Sequence, residues 1–159
     1  IEALGRIEPK PHLTIIGDGS LRATLQAAAA QHGVDLELAG VVPNEALPEK
    51  LRAADIFALP SLIEGHPKAL IEAMSCGLAC VGLEMPGVRD VITHEQTGLL
   101  CAPNAEALAA GMRRVLDDAA LANRLGQAAR AWSIEHFDLN RQLQREVELL
   151  QTLAASKAR

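Results

Sequence analysis

Residues 60–77 read PSLIEGHPKALIEAMSCG and follow the apolar run Ile56 to Leu59. The pattern predicts a buried strand, then a polar loop with glycine and proline, then a helix. Pro67 suits the first position of that helix, because proline lacks an N–H and its φ is already set. The amides of the first helical turn would then face whatever binds above the strand end. In a parallel α/β sheet this edge is where ligands bind, and an anion is favoured there.

On both sides of this stretch the chain alternates strand and helix patterns, and its last third is helical. Five segments have the composition of β-strands: 12–16, 36–42, 55–59, 78–83 and 97–101. Besides the helix that starts at Pro67, helical patterns cover 21–32, 43–54, 88–92, 105–116, 119–133 and 139–154.

Alternating elements joined by short loops predict a mostly parallel sheet with right-handed crossovers. We therefore predict an α/β domain, a Rossmann-like three-layer α/β/α arrangement with a mostly parallel sheet of five to six strands. A sixth strand would precede Ile1, as in a chain cut inside a first β-α unit. Extra helices over 105–155 would close the domain, covering one side of the sheet or packing against a partner domain.

Length and composition indicate a single domain over residues 1–159 with a sizeable core. Hydrophobic residues make up 49% of the chain but aromatic residues only 2%, so small and branched aliphatic side chains must build that core. A net charge of −5 argues against a nucleic-acid partner, which usually binds a basic face. No apolar run is long enough to predict a membrane span. Three cysteines without metal-type spacing favour free thiols and a reducing, cytoplasmic location.

Two carboxylates, Glu64 in the loop and Glu72 in the helix, bracket the predicted helix start. A glycosidase-type pair lies about 5–9.5 Å apart across one bond. Eight residues of continuous helix span about 12 Å along the axis, so the spacing favours two contacts along one extended ligand. Glu72 also lies among apolar residues, where an unpaired carboxylate is costly and a hydroxyl-rich ligand would satisfy it. The alternative is that both are solvated surface charges.

The same stretch resembles the donor-site signature of retaining glycosyltransferases of family 4, the group 1 glycosyl transferases. That signature has two glutamates separated by seven residues, as Glu64 and Glu72 are here. The resemblance covers nearly the whole chain in one register. The other matching segments are LTIIGDG at 13–19, LAGVVP at 38–43, GVRDVI at 87–92, TGLL at 97–100 and LGQAAR at 125–130, with Phe137 near the end.

The resemblance implies one half of a GT-B fold, the C-terminal domain that binds a UDP- or GDP-sugar in a cleft between two Rossmann-like domains. By position, Glu72 would hold the ribose hydroxyls through charge-assisted hydrogen bonds, and Glu64 would contact the transferred sugar as the catalytic residue. Gly17 and Gly19 would let the first loop approach the phosphates. The other residues implied to line the donor site are Gly40, Val42, Ser61, Gly65, His66, Lys68, Ala69 and Leu70.

Within that implied site, the backbone amides at 66 and 68–70 would receive the sugar or diphosphate, and the backbone around 40–42 would edge the base. No metal ion or other cofactor is implied, because helix-terminal amides and basic groups can stabilise a leaving diphosphate. The implied enzyme moves a hexose-type sugar with retention onto a glycan or lipid-linked acceptor. Its acceptor-binding N-terminal domain would precede Ile1, so the chain alone is expected to lack transferase activity.

Two features depart from the family pattern. By the resemblance, the diphosphate-binding Arg and Lys of the family would lie before Ile1, and Arg6 is too close to the next strand to replace them. His66-Pro67 stands where many members have an aromatic residue and glycine, which leaves open whether the imidazole reaches the sugar. Two other classes also remain open: a relative on the same fold, such as a sugar-nucleotide epimerase or phosphorylase, and a non-catalytic flavodoxin-like interaction domain.

Overall fold

A computed structural model describes residues 1–157 and confirms the predicted alternation of strands and helices followed by an all-helical last third. The strands are β1 (Leu13–Ile16), β2 (Leu36–Gly40), β3 (Ile56–Leu59), β4 (Ala79–Leu83) and β5 (Leu99–Cys101). The helices are α1 (Arg22–His32), α2 (Leu47–Arg52), α3 (Lys68–Ser75), α4 (Ala105–Asp117), α5 (Ala119–Phe137) and α6 (Leu139–Lys157). A short 3-10 helix spans Leu4–Arg6.

All strand pairs are parallel, as predicted, but their hydrogen bonds form two groups. Strand β1 pairs with β2, and β4 lies between β3 and β5. Strand β5 is an edge strand. No strand within residues 1–157 joins the β1–β2 pair to the other three, so the sheet is not hydrogen-bonded throughout. The expected sixth strand stays a prediction.

Strand β4 is the centre of the fold, because all five of its residues are buried. Successive side chains of a strand point to opposite faces. Val81 and Leu83 accordingly join a core with α1, α4 and β5, whereas Cys80 joins a second core with α2 and α3. Helix α5 contributes to both cores. The three-layer α/β/α arrangement is therefore confirmed.

The last helices differ in what they cover. Helices α4 and α5 pack on the sheet, whereas α6 touches α5 and exposes more than half of the apolar side chains of Leu139, Val147 and Leu150. None of the helices formed by residues 1–157 is both long and apolar enough to cross a membrane.

One predicted helix, over residues 88–92, is wrong. The segment forms consecutive turns over residues 86–91, although the Ile92 N–H still donates to the Val88 carbonyl at 2.9 Å. Val88 and Ile92 are both buried against β4, which holds the chain close to the sheet. The chain therefore turns here and does not continue as a helix. These turns follow the carboxyl end of β4 and therefore border the same sheet edge as the stretch after β3.

The three cysteines are free thiols, and two of them are buried: Cys80 on β4 and Cys101 at the end of β5. Burial raises the pKa of both thiols, because the thiolate loses its hydration. Cys76, at the end of α3, is half-buried.

We predict that iodoacetamide at pH 8 modifies Cys76 first and leaves Cys80 and Cys101 protected, because the thiolate is the reactive species and must be accessible. Peptide mass spectrometry after timed quenching measures the three rates. The control is the chain in urea, in which all three should react alike. Equal rates for Cys76 and Cys80 in the native chain would contradict the packing of β4.

Candidate functional site

The loops that follow β1 and β2 are tied together at the carboxyl edge of the sheet. The Gly17 N–H donates to the Gly40 carbonyl at 2.7 Å. Both glycines have positive φ, 128° at Gly17 and 69° at Gly40. The Asp18 carboxylate accepts from the Gly19 N–H at 2.9 Å and so stabilises the turn. Two predicted site residues, Gly17 after β1 and Gly40 at the end of β2, are therefore brought into direct contact.

A shallow cavity of about 210 Å³ lies beside this turn. Its wall combines the apolar side chains of Ile16, Leu25 and Leu38 with the backbone of residues 17–19. Arg22 also lines it and lies 3.7 Å from the Asp18 carboxylate. The sequence did not single out Arg22 as a basic group at this edge.

The loop after β2 presents apolar surface to solvent. Val42, a predicted site residue, is half-buried, whereas the neighbouring Val41 is 81% exposed. In the loop after β3, Leu62 and Ile63 are also exposed, and neither was predicted as a site residue. Exposed large apolar residues that lie near one another mark surfaces that bind a ligand or a partner.

The stretch after β3 begins its helix one residue later than predicted. Pro67 is the N-cap of α3, with φ −79° and ψ 75°. These angles are those of an inverse γ-turn, and the Lys68 N–H accordingly donates to the His66 carbonyl at 2.9 Å.

This turn corrects the predicted set of amides. The Lys68 amide is occupied by the γ-turn, and the Leu70 amide donates to the Pro67 carbonyl at 3.0 Å. The amides of His66 and Ala69 have no hydrogen-bond partner among the described residues. Two of the four predicted amides, rather than four, are available to an anion at the helix start.

The side chains of α3 divide into a buried and an exposed face. Leu70, a predicted site residue, is fully buried in the core and presents no side chain to a ligand. Lys68, Ala69 and Glu72 are exposed and, at spacings of three and four residues, lie on one face. The expectation that Glu72 lies among apolar side chains is therefore wrong, because Leu70, Ala73 and Met74 are buried on the opposite face.

Both carboxylates are free to bind a ligand. Glu64 is half-buried and Glu72 is exposed. Neither side-chain carboxylate has a hydrogen bond or ion pair with another residue of the described chain. Ser61 is half-buried, and Gly65 has open space where a Cβ would point. The loop therefore leaves room beside Glu64.

The His66 ring lies against the end of α5. Its centroid is 5.5 Å from that of Phe137, which in turn packs edge-on against Trp132. This contact places the imidazole between the loop and the C-terminal helices.

Two other predictions concern charged groups. Arg6 donates to the Glu2 carboxylate at 2.9 Å on the exposed surface, which agrees with its interpretation as a solvated charge. Residues 1–157 contain no group of three His, Cys, Asp or Glu side chains arranged to hold a metal ion.

Comparison with known proteins identifies the family. A sequence profile of "Glycosyl transferases group 1" matches residues 1–132. The chain belongs to the group 1 glycosyl transferases. Among curated proteins, the amylovoran biosynthesis glycosyltransferase AmsK of Erwinia amylovora is 37% identical over 150 residues, which cover 89% of this chain and 37% of the relative. The chain thus spans little more than a third of that glycosyltransferase.

Solved structures of GT-B glycosyltransferases share its fold. Sucrose-phosphate synthase of Thermosynechococcus elongatus superposes with a TM-score of 0.87 at 26% identity, over 97% of this chain and 41% of that protein. The Anabaena protein HepE, solved with UDP, superposes with a TM-score of 0.88 at 22% identity, over 95% of this chain and 43% of its own. The Rossmann-like fold expected from the sequence is therefore confirmed as part of a GT-B architecture.

The first loop offers a matched pair of substitutions. A Cβ at Gly17 or at Gly19 would meet no atom within 4 Å, and only Gly17 has a positive φ. We predict that Gly17→Ala lowers the free energy of unfolding by about 1–3 kcal/mol through backbone strain, whereas Gly19→Ala changes it by less than about 0.5 kcal/mol. Urea denaturation followed by circular dichroism measures both. Equal stability of the two variants would contradict the geometry of this loop.

Proposed function

We propose that this chain is the donor-binding domain of a retaining glycosyltransferase of family 4, and that it binds a UDP- or GDP-sugar at the carboxyl edge of its sheet. The observation that carries the proposal is the arrangement at α3. Two carboxylates without partners, Glu64 and Glu72, bracket two unpaired amides, those of His66 and Ala69. All four groups lie within the segment that the family profile matches.

Each group has a separate part in the proposed complex. Glu72, on the exposed face of α3, accepts hydrogen bonds from the ribose hydroxyls, which are stronger for a charged acceptor. The amides of His66 and Ala69 donate to the diphosphate or sugar, where the helix N-terminus favours negative charge. Glu64 contacts the transferred sugar.

The remaining predicted residues border this ligand. Gly17 and Gly19 lie beside the phosphates, and the backbone from Gly40 to Val42 edges the base. Ser61, Gly65 and Lys68 line the side of the cleft nearest to α3. Leu70 supports the site only from the core, since its side chain is fully buried.

The chemistry of the whole protein is part of the same proposal. A separate acceptor-binding domain would form the opposite wall of the cleft, and a hexose-type sugar would pass to a glycan or lipid-linked acceptor with retention. The relative named for amylovoran biosynthesis supports a role in polysaccharide synthesis. The cytoplasmic location is part of the proposal. No divalent metal is needed in this scheme, because amides and basic side chains stabilise the leaving diphosphate.

We predict different effects for substitutions of the two glutamates on binding affinity. Calorimetric titrations with UDP, GDP and their glucose and mannose conjugates measure these effects. Glu72→Ala should weaken the bare nucleotide and the nucleotide sugar alike, by about ten- to a hundredfold, because the ribose is common to both. Glu64→Ala should weaken only the nucleotide sugar. Glu148→Ala, which removes an exposed carboxylate of α6, is the matched control and should change neither.

Unchanged nucleotide affinity in Glu72→Ala would refute the ribose assignment. A chain that binds none of these nucleotides or nucleotide sugars would refute the proposed function and favour an interaction domain on the same fold. Affinities that stay constant when EDTA is added would support binding without a metal ion.

A further inference from the structure

The loop after β4 makes a close contact with the backbone of Glu64. Gly87 is buried and has a φ of 80°, a conformation that other L-residues rarely adopt. A Cβ on Gly87 would lie against the Glu64 carbonyl oxygen and 2.8 Å from both its carbonyl carbon and its Cβ. Only glycine therefore allows the two loops to approach this closely.

The Gly87 turn is itself fixed to the sheet. The Gly87 N–H donates to the Asp90 carboxylate at 3.2 Å. The following Val88 is fully buried, and a Cβ on Gly82 of β4 would lie 2.6 Å from its Cγ1 atom. Since Gly82 is part of the central strand, the turn has little freedom to move.

The Glu64 loop has far fewer restraints of its own. Glu64 makes no hydrogen bond in the described chain, and the nearest backbone hydrogen bond of the loop is that of the γ-turn at Pro67. Open space lies where a Cβ of Gly65 would point. The Glu64 backbone therefore depends for its position on packing, and it packs against Gly87 on one side while the His66 ring, two residues further on, packs against Phe137.

We propose that Gly87 is a positioning residue for donor recognition: its turn sets the place of Glu64 in the cleft and thereby the affinity for the sugar of the donor. Asp90 assists by holding the Gly87 N–H. This inference rests on the proposed function, in which Glu64 contacts the sugar. It adds that the contact depends on a residue of another loop that touches no ligand.

The binding test compares Gly87→Ala with Gly77→Ala. Gly77 has nearly the same φ, 83°, but a Cβ there would meet only the Arg130 side chain, at 3.9 Å. Both variants carry the same backbone strain, and only Gly87→Ala displaces Glu64. Calorimetry with UDP and UDP-glucose, or with the GDP pair if that is what the unsubstituted chain binds, gives the ratio of the two affinities.

We expect Gly87→Ala to lower the preference for nucleotide sugar over nucleotide by about tenfold, as we expect for Glu64→Ala, through loss of a hydrogen bond to a charged group. Gly77→Ala should keep the ratio of the unsubstituted chain. A folded Gly87→Ala variant with an unchanged ratio overturns the inference, provided that Glu64→Ala lowers it, and leaves the proposed function standing.

A second pair covers the case in which Gly87→Ala does not fold. Asp90→Ala removes the acceptor of the Gly87 N–H from an exposed position, whereas Asp90→Asn keeps an acceptor oxygen. Asp90→Ala should lower the same ratio and Asp90→Asn should restore it. If Asp90→Ala, Asp90→Asn and the unsubstituted chain all have the same ratio of affinities, the Gly87 turn does not position Glu64 and the inference is overturned.

Amide chemical shifts of the ligand-free chain separate this inference from the proposed function. Gly87→Ala, or Asp90→Ala in its place, should shift the amides of residues 62–66, and Gly77→Ala should not. Unmoved amides overturn the contact itself. If the amides move but the unsubstituted chain binds no nucleotide sugar, the proposed function fails, and with it the role of Gly87 in donor recognition.

Discussion

The burial of strand β4 on both faces is the constraint on which the rest of the structure depends. Its five residues are shielded by helices above and below and by β3 and β5 at its sides. The pairing is parallel, with Ile56 opposite Ala79 and Val81 opposite Leu99. Carboxyl ends of neighbouring parallel strands meet at one edge, so the loops after β3 and β4 must lie side by side. The contact between Glu64 and Gly87 follows from that arrangement.

The same packing separates the structural from the ligand-accessible groups of α3. Leu70 and Met74 are fully buried, and each buried side chain of this size stabilises the fold by about 1.5–3 kcal/mol. Their burial fixes the rotation of the helix and turns Lys68, Ala69 and Glu72 outward. Because the two unpaired amides and both carboxylates remain near solvent, water satisfies them in the free chain. A ligand has only to replace that water.

The sequence predicted the structure best where the spacing of apolar residues and the positions of glycine and proline indicate the same element. The five strands and the helices over the last third follow from apolar periodicity and from glycine and proline placement. The sequence was least informative about orientation. Glu72 has apolar neighbours in the sequence, but in the eight-residue helix α3 the buried ones lie on the face opposite to Glu72. The local composition therefore predicted a more buried Glu72 than the structure has. The segment after Pro86 has the pattern of a helix, but the burial of Val88 and Ile92 on β4 replaces it with turns. Gly87 could be recognised only as a turn residue, because its neighbour Glu64 is 23 positions away and belongs to another loop.

In the proposed complex a nucleotide sugar binds along the carboxyl edge of the sheet, with its base beside residues 40–42, its ribose at Glu72 of α3 and its sugar at Glu64 of the preceding loop. The most direct test of this binding site is a titration of the ¹⁵N-labelled chain with a UDP- or GDP-sugar, in which the amide chemical shifts are recorded. We expect the shifts to concentrate at residues 17–19, 40–42 and 61–72 and to leave α6 unchanged. Shifts confined to α6 or to the opposite edge of the sheet, or no shifts with either nucleotide, would contradict it.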